Sequence, residues 1–138
     1  SMMDTGQWPL TPPVRPRRRN GATRLLETWP MLRGEVWWVE FDPAVGSEIR
    51  KTRPAIILSN DAANRNLARV VVVPVTSSTG RVYPGEAVVT VGGQSSKAMS
   101  DQIMAADKAR LKTRLDVLSK AEMLAVEKAV KVHLALPL

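Results

Sequence analysis

The chain has 138 residues, 44% of them hydrophobic, which is enough for one domain with a real core and excludes a wholly disordered protein. It holds no cysteine and a single histidine, His133, so disulfides, thiolate metal sites and multi-histidine metal sites are excluded. The formal net charge of +7 favours an anionic partner, of which nucleic acid is the commonest.

Residues 1–30 read as a basic, Pro/Arg-rich extension of irregular structure, and residues 31–138 as the domain proper. Pro9, Pro12, Pro13 and Pro16 precede Arg17, Arg18 and Arg19, and proline removes backbone donors and favours extended chain. Five arginines against Asp4 and Glu27 give the extension +3, which leaves +4 for the domain. No apolar stretch follows the basic start, and no apolar run reaches the ~18 residues of a membrane helix. Together with the missing cysteines this fits a cytoplasmic location.

From Gly34 the pattern is β. In GEVWWVEF (34–41), Val36 and Trp38 alternate with Trp37, Val39 and Phe41, so both faces are apolar. That predicts a strand buried on both sides or a tightly curled sheet, with at least one tryptophan in the core. A polar loop follows, containing Gly46, Ser47 and Glu48. Residues 54–59 (PAIILS) predict a second strand, and residues 61–67 one helical turn capped by Asn60. Residues 69–75 predict a third strand, with Pro74 near its end where proline is tolerated. After a polar, turn-rich stretch at 77–85, residues 86–91 predict a fourth strand and Gly92-Gly93 a turn.

A fifth strand is expected at 98–103, a short helix at 107–111 (DKARL), and a short sixth strand around Val117. Ser119 and Glu122 have capping-box spacing, and Met123, Val126, Val130 and Leu134 then recur as one apolar helical stripe. His133 is expected to cap or pack near the end of that helix. Strands come first and the long helix last, with no βαβ alternation. The expected class is therefore α+β, mostly β: a small antiparallel, barrel-like sheet with short helices and a C-terminal helix.

Five ordered motifs carry a resemblance. They are RGEVW (33–37) with FDP (41–43) and GSE (46–48), RPAIILSND (53–61), PVT (74–76), DQI (101–103), and DKARL (107–111). In this order they resemble the MazF/PemK family of toxin ribonucleases over roughly residues 33–136. Ile49, Arg50, Lys51 and Thr52 depart from a loop that is often Gln/Gly-rich in that family. The resemblance implies a small SH3-like barrel, usually a homodimer, that cuts single-stranded RNA at short sequences without metal or cofactor. It also implies inhibition by a cognate, MazE-like antitoxin.

Metal-free RNA cleavage must align the ribose 2′-OH with phosphorus, move its proton and stabilise the charge of the pentavalent transition state. Arg53 is the candidate for holding the phosphate, because its planar fork binds two oxygens at once and Pro54 biases it toward extended backbone at a strand entrance. It matches the family's catalytic arginine. Thr76 matches the family threonine that donates to a phosphate oxygen, and Glu48 is the candidate base or orienting group. Ser47, Lys51, Ser77, Ser78 and Gln102 are candidates for RNA binding, with Arg50 and Arg65 as further backbone cations. The alternative reading is a non-catalytic module of the same barrel type, which binds nucleic acid or poisons a gyrase.

Overall fold

The computed structural model describes residues 30–41 and 52–138; Ser47, Glu48, Arg50, Lys51 and residues 1–29 lie outside the described residues. The strands are β1 (Glu35–Glu40), β2 (Thr52–Ile57), β3 (Arg69–Thr76), β4 (Glu86–Val91), β5 (Gln94–Met99), β6 (Met104–Asp107) and β7 (Leu111–Val117). The helices are α1 (Asp61–Asn66), between β2 and β3, and α2 (Lys120–His133) at the end. The sheet order is β4-β5-β3-β2-β1-β7, with β6 beside β3, and every pairing is antiparallel.

The two-faced apolar pattern of the first strand is realised literally. Val36 and Trp38 enter a core cluster closed by Met123, Val126 and Val130 of α2. Trp37 and Val39 enter a second cluster on the other face, with Ala55, Ile57, Val70, Val72 and Leu111. Both tryptophans are core, so neither is a surface platform. A sheet with a core on each face must curl, and β1 departs from regular pairing with β7 on both sides of Trp37.

The edges of the sheet are tied rather than left open. The edge strand β4 donates Thr90 N to Glu122 Oε2 at 2.7 Å, and Gly92 N donates to Asp116 Oδ2 at 2.8 Å. These bonds link β4 to α2 and to β7 at the far edge, giving a half-barrel. Glu122 also completes the capping box: its Oε1 accepts from Ser119 N at 2.9 Å and its N donates to Ser119 Oγ at 3.1 Å. Burial pulls the Glu122 pKa up, but the hydrogen bonds from Ser119 and Thr90 outweigh it and leave the carboxyl below its ordinary value.

Much of the motif RGEVW is structural. Gly34 adopts φ +93°, a conformation that costs other residues strain. The buried Glu35 carboxylate accepts from Leu32 N at 2.8 Å, from Trp37 Nε1 at 3.0 Å and from Arg114 Nη1 at 2.9 Å. Arg33 bridges to Glu127 of α2 at 2.8 Å. The SND motif is structural too. Ser59 Oγ bonds Asn64 and accepts from Val71 N at 2.9 Å; Asn60 caps α1 by accepting from Ala63 N at 2.8 Å; Asp61 accepts from Arg33 N at 2.7 Å.

Three sequence expectations are corrected. The fifth strand at 98–103 is two strands separated by a 3₁₀ turn at Ser100–Gln102. Val75 pairs with Ala98 and Val72 with Met104, so the turn loops out of the ladder along β3. The helix at 107–111 is only a 3₁₀ turn at Lys108–Arg110, because the buried Leu111 already begins a seven-residue β7. Leu134 is not on the buried stripe; it is the C-cap of α2, and Ala129 takes the inward position. His133 does sit at the helix end as expected, packed against Gly85.

Candidate functional site

The antiparallel ladders draw a row of side chains across one face of the sheet. Val39 of β1 pairs with Arg53 of β2. Ala55 pairs with Pro74 of β3 as the last pair of the β2–β3 ladder, and Arg53 and Thr76 each lie two residues past that pair. Thr76 pairs with Lys97 of β5, and Lys97 with Val88 of β4. Opposed residues of an antiparallel pair have Cα atoms ~5 Å apart and share a face. Thr76 and Lys97 are thus neighbours, and Arg53 lies on the adjacent strand beyond the end of the β2–β3 ladder.

The face is set by strand alternation. Arg53 follows the side of Ala55 and Ile57, and Thr76 the side of Val72, all three of these apolar residues belonging to the second core cluster. The row therefore lies at the rim of that core, on the face turned away from α2. Burial matters for the chemistry: Thr76 is only 1% exposed, while Arg53 is half-buried. A hydroxyl and a guanidinium at the edge of an apolar floor sit where the local dielectric is lowered, which strengthens a bond to an anion.

Hydroxyls continue from the strand end. Ser78 N donates to Thr76 Oγ1 at 3.2 Å, and Ser77 is buried beside it. Gln102 ends the 3₁₀ turn exposed, with Nε2 3.5 Å from the Met99 sulfur. Met99 shares a face of β5 with Lys97, which brings Gln102 to the side of the row. The structure thus joins Thr76 and Ser78 by a hydrogen bond, with Ser77 between them, Arg53 on the adjacent strand and Gln102 on the turn after β5. Arg65 is not among them: it lies in the last turn of α1, beyond the far ends of β2 and β3. Ser47, Glu48 and Lys51 lie outside the described residues.

The sequence reading missed Lys97. Its ammonium lies 3.2 Å from Glu86 Oε1 and donates to Arg81 O at 3.0 Å. The available signal was a lysine between small residues in QSSKAM, a run too polar to be read as a strand paired on both sides. Among the described residues no three His, Cys, Asp or Glu side chains are grouped as metal ligands, and no helix is long and apolar enough to cross a membrane.

The chain is similar in sequence and fold to known proteins. Residues 32–134 match the model of the PemK-like, MazF-like toxin of type II toxin–antitoxin systems. The endoribonuclease MazF9 of Mycobacterium tuberculosis is 41% identical over 115 residues, spanning 77% of this chain and 98% of that protein. A mycobacterial endoribonuclease solved in complex with its cognate antitoxin superposes with a TM-score of 0.65 at 28% identity, over 78% of this chain and 98% of that one. A MazE–MazF structure from Deinococcus radiodurans gives a TM-score of 0.66 at 26% identity, over 79% and 99%.

Proposed function

The chain belongs to the PemK-like, MazF-like family of type II toxins, and from that premise we propose how it acts. It is a toxin endoribonuclease; its substrate is RNA and its inhibitor a cognate antitoxin of the MazE kind. The substrate strand is single, the cut is specific for a short sequence, the active form is a homodimer, and the compartment is the cytoplasm.

The 2′-oxygen of the ribose attacks the adjacent phosphorus while the bond from phosphorus to the 5′-oxygen breaks. The 2′-proton passes to a base, for which Glu48 is the candidate, and the departing 5′-oxygen takes a proton from solvent. Products then carry a 2′,3′-cyclic phosphate and a 5′-OH. Arg53 clamps two non-bridging oxygens, and Thr76 donates its hydroxyl to the phosphate as negative charge grows. Ser47, Lys51, Ser77, Ser78 and Gln102 hold the flanking nucleotides, Gln102 by offering its amide to a base edge.

One observation supports this reading: a half-buried arginine and a buried threonine on adjacent antiparallel strands, each just past the same end of their shared ladder. The test is sequencing of RNA ends after incubation with purified protein in EDTA, beside the Arg53→Ala variant. Cyclic-phosphate ends from the wild type and none from the variant are expected. Cutting that survives Arg53→Ala, or that requires Mg²⁺, overturns the mechanism.

A further inference from the structure

The stretch between β3 and β4 presents an aromatic side chain that this mechanism leaves unused. Tyr83 is 55% exposed, and the Arg81 guanidinium carbon lies 5.4 Å from its ring centroid. Val82 beside it and Val88 on β4 are exposed as well. A single exposed apolar residue signifies little. Here, however, the backbone on both sides of the ring is pinned.

Tyr83 N donates to Glu86 Oε1 at 2.9 Å, and Glu86 N donates to Tyr83 O at 2.8 Å. The same Glu86 oxygen pairs with Lys97 Nζ at 3.2 Å, and Lys97 Nζ donates to Arg81 O at 3.0 Å. The two paired side chains are only 12% and 16% exposed, so the fold bears a desolvation cost to keep them. What the pair secures is the segment carrying Arg81 and Tyr83. Lys97 is also the residue paired with Thr76, so the segment is anchored beside Thr76.

We infer that Arg81 and Tyr83 form a base-stacking platform for a nucleotide next to the scissile phosphate, held ready by the Lys97–Glu86 pair. This rests on RNA being the substrate. A flat ring topped by a guanidinium suits a nucleobase, because bases stack on aromatic faces and the arginine adds cation–π attraction and charge toward the phosphates. Ordering the platform in advance removes an entropic cost of binding. A stacked base also fixes the strand's path one strand away from Thr76, which makes Tyr83 a specificity-determining residue.

The test uses the full chain and two probes. Binding of a uniformly 2′-O-methylated, single-stranded RNA pool, which lacks the nucleophile, is measured by fluorescence anisotropy. Tyr83→Ala should weaken it by about 5- to 150-fold, the range for loss of one stacked base. Tyr83→Phe and Tyr83→Trp should restore binding. On natural RNA, Tyr83→Ala should relax the base preference at one position flanking the cut. Tyr83→Ala that binds and cuts as the wild type does overturns the inference. So does a variant that keeps RNA binding but escapes the antitoxin, which would assign the platform to that protein. A wild type that binds the methylated pool but leaves natural RNA uncut sinks the nuclease mechanism and leaves the stacking result standing.

Discussion

Thr76→Val removes one hydroxyl from the row while keeping a branched side chain suited to a strand. In the folded protein that hydroxyl accepts from Ser78 N at 3.2 Å, so the variant leaves one amide without its acceptor. The cost is about 0.5–1.5 kcal/mol, too little to unfold a domain stable by roughly 5–15 kcal/mol. The kinetic effect is expected to be larger. A hydrogen bond to a charged phosphate oxygen contributes about 1.5–3 kcal/mol, which is roughly 10- to 150-fold in rate at about 1.4 kcal/mol per factor of ten. Arg53→Lys keeps the charge but loses the fork, so it should also slow the chemical step.

If Arg53 and Thr76 act on one phosphate, as the proposed mechanism requires, their losses should not add. Single-turnover cleavage of one defined RNA by the wild type, both single variants and the double variant reads the coupling. Urea unfolding of the same four proteins serves as the folding control. A coupling of about 0.5–3 kcal/mol is expected. Wild-type rates in Thr76→Val, or losses that add to within about 0.3 kcal/mol, refute a shared phosphate.

Two further outcomes separate scaffold from site. Ser59→Ala removes bonds to Asn64 and Val71 N at the end of β2 remote from Arg53, so it should destabilise the fold by about 1–3 kcal/mol in urea yet leave cleavage per folded molecule unchanged; a normal stability with lost cleavage would contradict the structural role given to the SND motif. Glu122 has a lowered pKa, so the stability it contributes is present above the ordinary carboxylate value of 4.5 and is lost as pH falls through its folded value. Unfolding midpoints measured below about pH 4.5 should therefore drop more steeply for the wild type than for Glu122→Gln, and parallel profiles would show that the β4–α2 latch contributes nothing to acid sensitivity.

How far the sequence could be read depended on the range of the interactions involved. The capping box at Ser119 and Glu122, the Asn60 cap and the Gly92-Gly93 turn are local: one backbone geometry satisfies the residues within a few positions, and each was legible and is present. The alternation of β1 was equally legible, since apolar side chains on both faces of a short β-branched and aromatic run suit a strand buried on both sides. The QSSKAM strand was not, because its stability comes from ladders to β4 and β3 rather than from its own polar side chains. Nor was the start of β7, whose Leu111 is claimed by the second core instead of a helix, although a short strand around Val117 was expected.

The same division holds at the site. Arg53 before a proline, Thr76 at a strand exit and the order of the motifs were written in the chain, and they sufficed to indicate phosphate chemistry. That the strands carrying Arg53 and Thr76 lie side by side is decided by the β2–β3 register, whose Ala55–Pro74 pair joins residues 19 positions apart. That Lys97 joins their row is decided by the β3–β5 ladder. Register is a tertiary quantity: a slip of one residue would turn each side chain to the opposite face, and burial of a core on both faces forbids the slip. The sequence by itself determined which groups were available for chemistry; packing on the two faces of one curled sheet decided which of them meet.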